Sequence, residues 1–142
     1  MFYPLAVIGW VLTALVSVVY FKAGKFKLTA PIDTLVAAGM GWVKSIPKAL
    51  VRLIALLELV GVFGLIVAQA GFEVGVIAKV SAFLFAQWFA VAAAAGLTLT
   101  MVVGLIMHIV RKEIKHTWKV NVGVIVIAGA LTAILAVIPN TL

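Results

Sequence analysis

Cysteine is absent from this 142-residue chain. That excludes a disulfide scaffold, a thiol–disulfide relay and a cysteine-ligated iron–sulfur cluster within it. It leaves the redox compartment open. Acids are scarce as well: Asp33, Glu58, Glu73 and Glu113 are the only ones. They form no tight cluster with histidine of the kind zinc or iron needs, so no metal is expected. Of the histidines, His108 and His116, only His108 falls in an apolar stretch. Haem needs axial ligands from the protein, so it is not expected either. No glycine-rich phosphate loop follows a strand pattern, and no nucleophile–base pair is apparent. The chain is not expected to be an enzyme on its own.

Apolar residues are plentiful. They make up 66% of the chain, and its mean hydropathy is +1.33. Soluble domains contain roughly 45–50% apolar residues. So short a chain has no way to hide that much apolar surface from water, which points to a single integral membrane domain. A net charge of +7 suits nucleic acid on its face. The basic residues, however, sit at the edges of apolar segments, where they anchor helices in lipid headgroups. The expected partner is the bilayer, with no nucleic acid. The N-terminal MFYPLAVIGW has no basic residue ahead of its apolar run, as a cleavable signal would. It is read as a retained helix with its N-terminus outside.

A spanning helix needs ~20 mostly apolar residues. Four segments meet that requirement, at about 4–21, 49–70, 85–110 and 120–138. Gly71 is expected to end the second span, with a short turn at 72–75. No proline interrupts 76–110, so this stretch is read as one long helix whose membrane part is 85–110. Between the first two spans, Asp33 would cap a short interfacial helix over 33–44, with Trp42 at headgroup level. The expected fold is an all-α polytopic membrane four-helix bundle with both termini on the outer side. Lys22, Lys25, Lys27, Lys44, Lys48, Arg111, Lys112, Lys115 and Lys119 then fall on one side, and Lys79 on the other. Short basic loops stay cytoplasmic, which implies a multi-pass protein of the inner (cytoplasmic) membrane. Trp10 and Trp88 fall toward the outer interface, Trp42 and Trp118 toward the inner one.

Glu58 lies near the middle of the second span. A carboxylate at bilayer depth costs several kcal/mol and is rarely left facing lipid. Either it binds or carries something inside the bundle, or it fixes helix register through a hydrogen-bonded partner. Gly61 shares its face, Gly64 follows, and small residues there let another backbone come close. Arg52 lies six residues earlier, on another face. It either snorkels to headgroups or pairs with a carboxylate or a bound head. On the third span Ala92, Gly96, Thr100, Gly104 and His108 recur every fourth residue, the clearest helix-packing signal in the chain. Gly9, Thr13 and Ser17 make a similar stripe on the first span. His108 is either a proton-exchange group beside Glu58 or an interfacial histidine bonded to a neighbour. Gln87 is a hydrogen-bonding candidate, and His116 is read as a solvated loop residue. The candidate ligand-binding set is thus Glu58, Arg52, His108 and Gln87.

The order of these features resembles a known family. FKAGKFKL closes the first span, Pro47 opens the second, LVRLIALLELVGVFGLIV follows, and MHIVRKE closes the third before a last apolar helix. The most specific parts are Glu58 to Gly61 with Gly64 and Leu65, and His108 with Arg111 and Glu113. Over about 20–137 the chain is similar to the DoxX-like family of small four-helix membrane proteins. The resemblance implies a bundle of transmembrane helices and roles that differ between members. Some are subunits of membrane oxidoreductases that pass electrons to quinone, others are partners of detoxifying enzymes or of receptor assembly.

The expected function is that of an accessory or assembly subunit of a membrane complex, a quinone-linked redox complex being one such kind. Other membrane subunits, or copies of itself, would be its partners. The alternative is a redox protein that binds a quinone or lipid-like ligand between the second and third spans, using Glu58. No covalently bound cofactor is expected, and quinone is the one such a site would take. A third reading is a small proton-coupled transporter, though no inverted repeat is visible.

Overall fold

The computed structural model describes residues 2–113, 115 and 117–141. His116 lies outside them. Among the described residues the chain is helical and contains no strand. Helix α1 spans Phe2–Thr29, α2 Ile32–Ala37, α3 Lys48–Ala78, α4 Ala86–Val110 and α5 Trp118–Val137. Short 3₁₀ turns occupy Gly41–Ser45, Ser81–Phe85 and Ile138–Thr141. Four helices, α1, α3, α4 and α5, are long and apolar enough to cross a membrane.

The buried positions of each long helix advance by steps of three and four. On α3 they are Val51, Ala55, Glu58, Val62, Leu65, Gln69, Phe72 and Gly75. On α5 they are Asn121, Val124, Ala128, Leu131 and Leu135. On α4 the run is Gln87, Ala90, Ala94 and Leu97, and on α1 it is Thr13, Val16, Tyr20, Gly24 and Lys27. This is the seam of near-parallel helix packing, in which the contact stripe repeats every 3.5 residues. The helices form a ring, α1 against α3, α3 against α4, α4 against α5, and α5 back against α1. Val16, Tyr20, Leu65, Phe72, Ala94, Leu97, Ala128 and Leu131 fill its centre. Outward positions such as Val7, Val11, Phe63, Val67, Phe89 and Val126 are large, apolar and exposed, as a lipid-facing surface requires.

The start of α1 and the end of α5 lie at one end of the bundle, where Gly9 of α1 sits beside Leu135 and Ile138. The opposite end, called the loop end below, joins two connections. Arg111 donates to Ser45 at 2.5 Å, and Gly41 lies against the Glu113 carboxylate.

Several boundaries differ from the sequence expectation. Helix α1 does not stop near residue 21 but continues to Thr29, so Lys22, Lys25 and Lys27 are helical. Nothing in that stretch breaks a helix before Pro31, since glycine within a helix is only mildly unfavourable. Helix α3 likewise passes through Gly71 and ends at Ala78. Residues 76–110 are therefore not one helix. The chain reverses at Lys79, a left-handed residue with φ 56°, and the Lys79 and Val80 N–H groups bond back toward α3. Gly75 makes the reversal possible, because a Cβ there would stand 2.7 Å from Phe83 Cβ. The interfacial helix is also shorter than 33–44. Gly39, at φ 90°, closes α2, and the chain restarts as the 3₁₀ turn. Leu35, Val43 and Val51 form a small separate core beneath this connection, with Trp42 packed against it. Asp33 makes no capping hydrogen bond; it sits in the first turn, 3.8 Å from Lys44.

Candidate functional site in the groove between α3 and α4

Glu58 is 5% exposed, and its partner is a lysine from the neighbouring helix. Lys27 Nζ of α1 donates to Glu58 Oε1 at 2.5 Å and stands 2.5 Å from Oε2. Because α1 runs on to Thr29, its seam places Lys27 seven residues beyond Tyr20, on the same face and one level below. Two opposite charges in a dry interior compensate each other only when their geometry is close, and this pair meets that condition.

Arg52 holds the pair from the other side. Its guanidinium donates to the Lys27 carbonyl oxygen and, at 2.6 Å, to the Ala30 carbonyl oxygen. The last carbonyls of a helix have no partner within the helix and carry partial negative charge, so a cation there is favourable. Arg52 thus closes the C-terminus of α1, the turn that carries Lys27. Its hydrogen bonds go to these carbonyls and not to a carboxylate.

Above the ion pair, the Tyr20 hydroxyl donates to the Leu97 carbonyl oxygen and ties α1 to α4. Outside that tie, α3 and α4 part to leave a groove of about 310 Å³. Ile54, Leu57, Ala93 and Leu97 give it apolar walls; Gly61 and Gly96 give it width; Glu58 and Thr100 are its polar residues. Gly61 admits the Leu97 side chain, since a Cβ would sit 3.0 Å from Leu97 Cδ2. Gly96 is open, with nothing within 4 Å of where a Cβ would stand. The Thr100 hydroxyl donates to the Gly96 carbonyl at 2.8 Å, which leaves its oxygen free to accept. Glu58 Oε2 is buried and, apart from the Lys27 ammonium 2.5 Å away, has no partner.

The residues singled out from sequence are not brought together. Glu58 lines the groove; Arg52, His108 and Gln87 are not among the lining residues. Gln87 donates to the Leu135 carbonyl at 2.6 Å and joins α4 to α5 toward the terminal end. His108 lies eight residues beyond Thr100, about 12 Å further along α4 at 1.5 Å per residue. There its Nδ1 is 3.8 Å from Glu113 Oε2, and Glu113 also accepts from Arg111 Nε at 3.1 Å. Of the small residues, Gly61 packs against α4, and the buried seam of α4 runs through Ala90 and Ala94 instead of the stripe. Ala92 and Gly96 are exposed, Thr100 and Gly104 half-buried. A Cβ at Gly64, Gly96 or Gly104 would meet nothing within 4 Å. The first stripe does pack inward, where Gly9 adjoins Gln69 and the Thr13 hydroxyl donates to Gln69 Oε1 at 2.6 Å.

Sequence reasoning missed Lys27 and Tyr20. The signal was there: the spacing of Thr13, Val16, Tyr20 and Gly24 reaches Lys27 once the helix is allowed to run to Pro31. It also placed Glu73 in a turn, whereas Glu73 is helical and accepts from Trp10 Nε1 at 2.7 Å.

An antiparallel ring of four apolar helices with a paired charge inside defines a small multi-pass membrane protein, in contact with the lipid bilayer. The chain belongs to the DoxX-like family, which matches residues 11–133. No curated protein and no solved structure matches it.

Proposed function

We propose that this bundle is a membrane-embedded binding protein, which receives an apolar molecule from the lipid phase in the groove between α3 and α4. The carrying observation is the composition of that groove: apolar walls, two glycines, and a buried carboxylate held in place by Lys27. Ligand sites are concave and mostly apolar, with a few placed polar groups, and this one has that character. A lipid-like molecule is of a suitable kind, the quinone–hydroquinone class included, with its polar head toward Glu58. The lysine- and arginine-rich loop end would face the cytoplasm and the termini the outside, with the inner membrane as the location. Mass spectrometry of the small molecules retained after purification in mild detergent tests this reading. An apolar compound held by the native chain and lost in Gly96→Leu supports it. Equal retention by the two chains refutes it.

A second reading is favoured by the open glycines. Gly64 and Gly104 offer close approach to a helix from another subunit, as small residues do in membranes. On that reading the chain is an accessory or assembly subunit of a membrane complex, with any redox chemistry, quinone-linked or otherwise, belonging to the partner. Gly64→Leu and Gly104→Leu would then release a subunit that copurifies with the native chain. Unchanged copurification removes this reading.

A further inference from the structure

The groove's polar groups have a common character. Thr100 spends its hydroxyl proton on the Gly96 carbonyl, so toward the groove it can only accept. Glu58 faces Lys27, which stands 2.5 Å from each carboxylate oxygen. Beside an ammonium at that range the carboxyl acts as an acceptor, and Oε2 lies buried next to Lys27 with no hydrogen bond from any other group. The groove therefore presents acceptors and no donor. An occupant whose head only accepts, such as a ketone, an ether or a quinone carbonyl, would meet lone pairs with lone pairs and leave both sides unsatisfied. An occupant carrying a positive charge would meet Lys27, which already neutralises Glu58, and like charges at such range repel. What remains is a neutral donor.

We propose that the groove between α3 and α4 selects a neutral, membrane-soluble hydroxyl compound, a phenol or an alcohol, whose O–H donates to Glu58 while its apolar body lies against Ile54, Leu57 and Leu97. This rests on the reading of the groove as a ligand site and adds the chemistry of the head. Within the quinone class it assigns the hydroquinone form, not the oxidised one. Size agrees: a groove of about 310 Å³ takes one aromatic ring and the start of a chain, at the lower end of ordinary ligand sites. Gly96 provides the room, because any side chain there would project into the space the ring needs.

The test uses the full chain in lipid nanodiscs and two probes matched in everything but the proton, 4-dodecylphenol and its methyl ether. Binding is read by native mass spectrometry as the fraction of protein carrying one probe. The phenol is expected to bind about tenfold or more tightly than the ether, the size of effect a hydrogen bond to a charged acceptor produces. Dodecylammonium is expected to bind less well than the phenol. Glu58→Gln alone leaves Lys27 unpaired and threatens the fold, so the decisive variant is the double one, Lys27→Met with Glu58→Leu. Replacing a buried ion pair by apolar residues of similar size is commonly tolerated. In that variant the phenol should lose its advantage while the ether still binds. Gly96→Leu should exclude both probes. If phenol and ether bind the native chain equally, or if the preference survives the double substitution, the hydroxyl assignment is overturned and the groove stands. If neither probe binds, or if Gly96→Leu changes nothing, the groove reading itself falls, and this assignment with it.

Discussion

The interface between α1 and α3 has two polar ends, and they are built differently. At the terminal end, Trp10 donates to Glu73 and Thr13 to Gln69, at 2.7 and 2.6 Å. At the loop end, Lys27 meets Glu58, and Arg52 closes the helix that carries Lys27. Thr13 and Gln69 are neutral and buried, joined by a hydrogen bond that holds two helices in register. Lys27 and Glu58 are charged and buried, and their pair borders an open groove. A neutral hydrogen bond suffices to fix register in a membrane interior. A carboxylate there costs far more, so it is kept only with a close counter-charge. The difference sets the loop-end half of the interface apart as the candidate for function.

Breaking one partner of the charged end should have the largest effect. Glu58→Leu alone leaves a buried ammonium uncompensated and should cost about 3–5 kcal/mol in thermal or denaturant unfolding in detergent. Lys27→Met together with Glu58→Leu should recover most of that loss. If the single and double variants are equally destabilised, the pair is not what holds this end. Arg52→Ala comes next. It removes charged donors from two helix-end carbonyls and should cost about 2–3 kcal/mol. Amide exchange should then speed up in the last turn of α1 and stay unchanged near Trp10. The terminal end should be milder: Thr13→Val should cost about 1–2 kcal/mol, since the Gln69 oxygen loses its donor. A cost equal to that of Glu58→Leu would erase the contrast between the ends. The smallest effect is expected at the groove floor. Gly96→Ala should lie within about 0.5 kcal/mol of the native chain or be slightly stabilising, because nothing stands near its Cβ position. Gly61→Ala should be destabilising by about 1 kcal/mol or more, because its Cβ would press on Leu97.

Much of this was legible along the chain, for identifiable reasons. The number of membrane helices follows from runs of apolar residues longer than a bilayer is thick. The importance of Glu58 follows from its being a lone acid in such a run. Its partner was missed, because Lys27 reads as one more interfacial lysine until α1 is carried on to Thr29. The small stripe at Ala92, Gly96, Thr100 and Gly104 misled about what packs within the chain. Ala90 and Ala94 are just as small, and spacing does not distinguish one small face from another. The turn at Lys79 carries no proline or glycine of its own; it depends on Gly75, four residues back, giving Phe83 room to approach.

By itself the sequence determined that this chain lives in a membrane as four helices, since hydropathy over ~20 residues is a local property that no packing reverses. It also determined that one carboxyl had to be sheltered. Only the tertiary structure decided what shelters it, that Arg52 braces the shelter, that His108 and Gln87 stand elsewhere, and that a groove opens beside it. Those outcomes depend on how each helix is rotated and where it stops. Both are set by side chains meeting across helices, and a linear pattern does not contain those meetings.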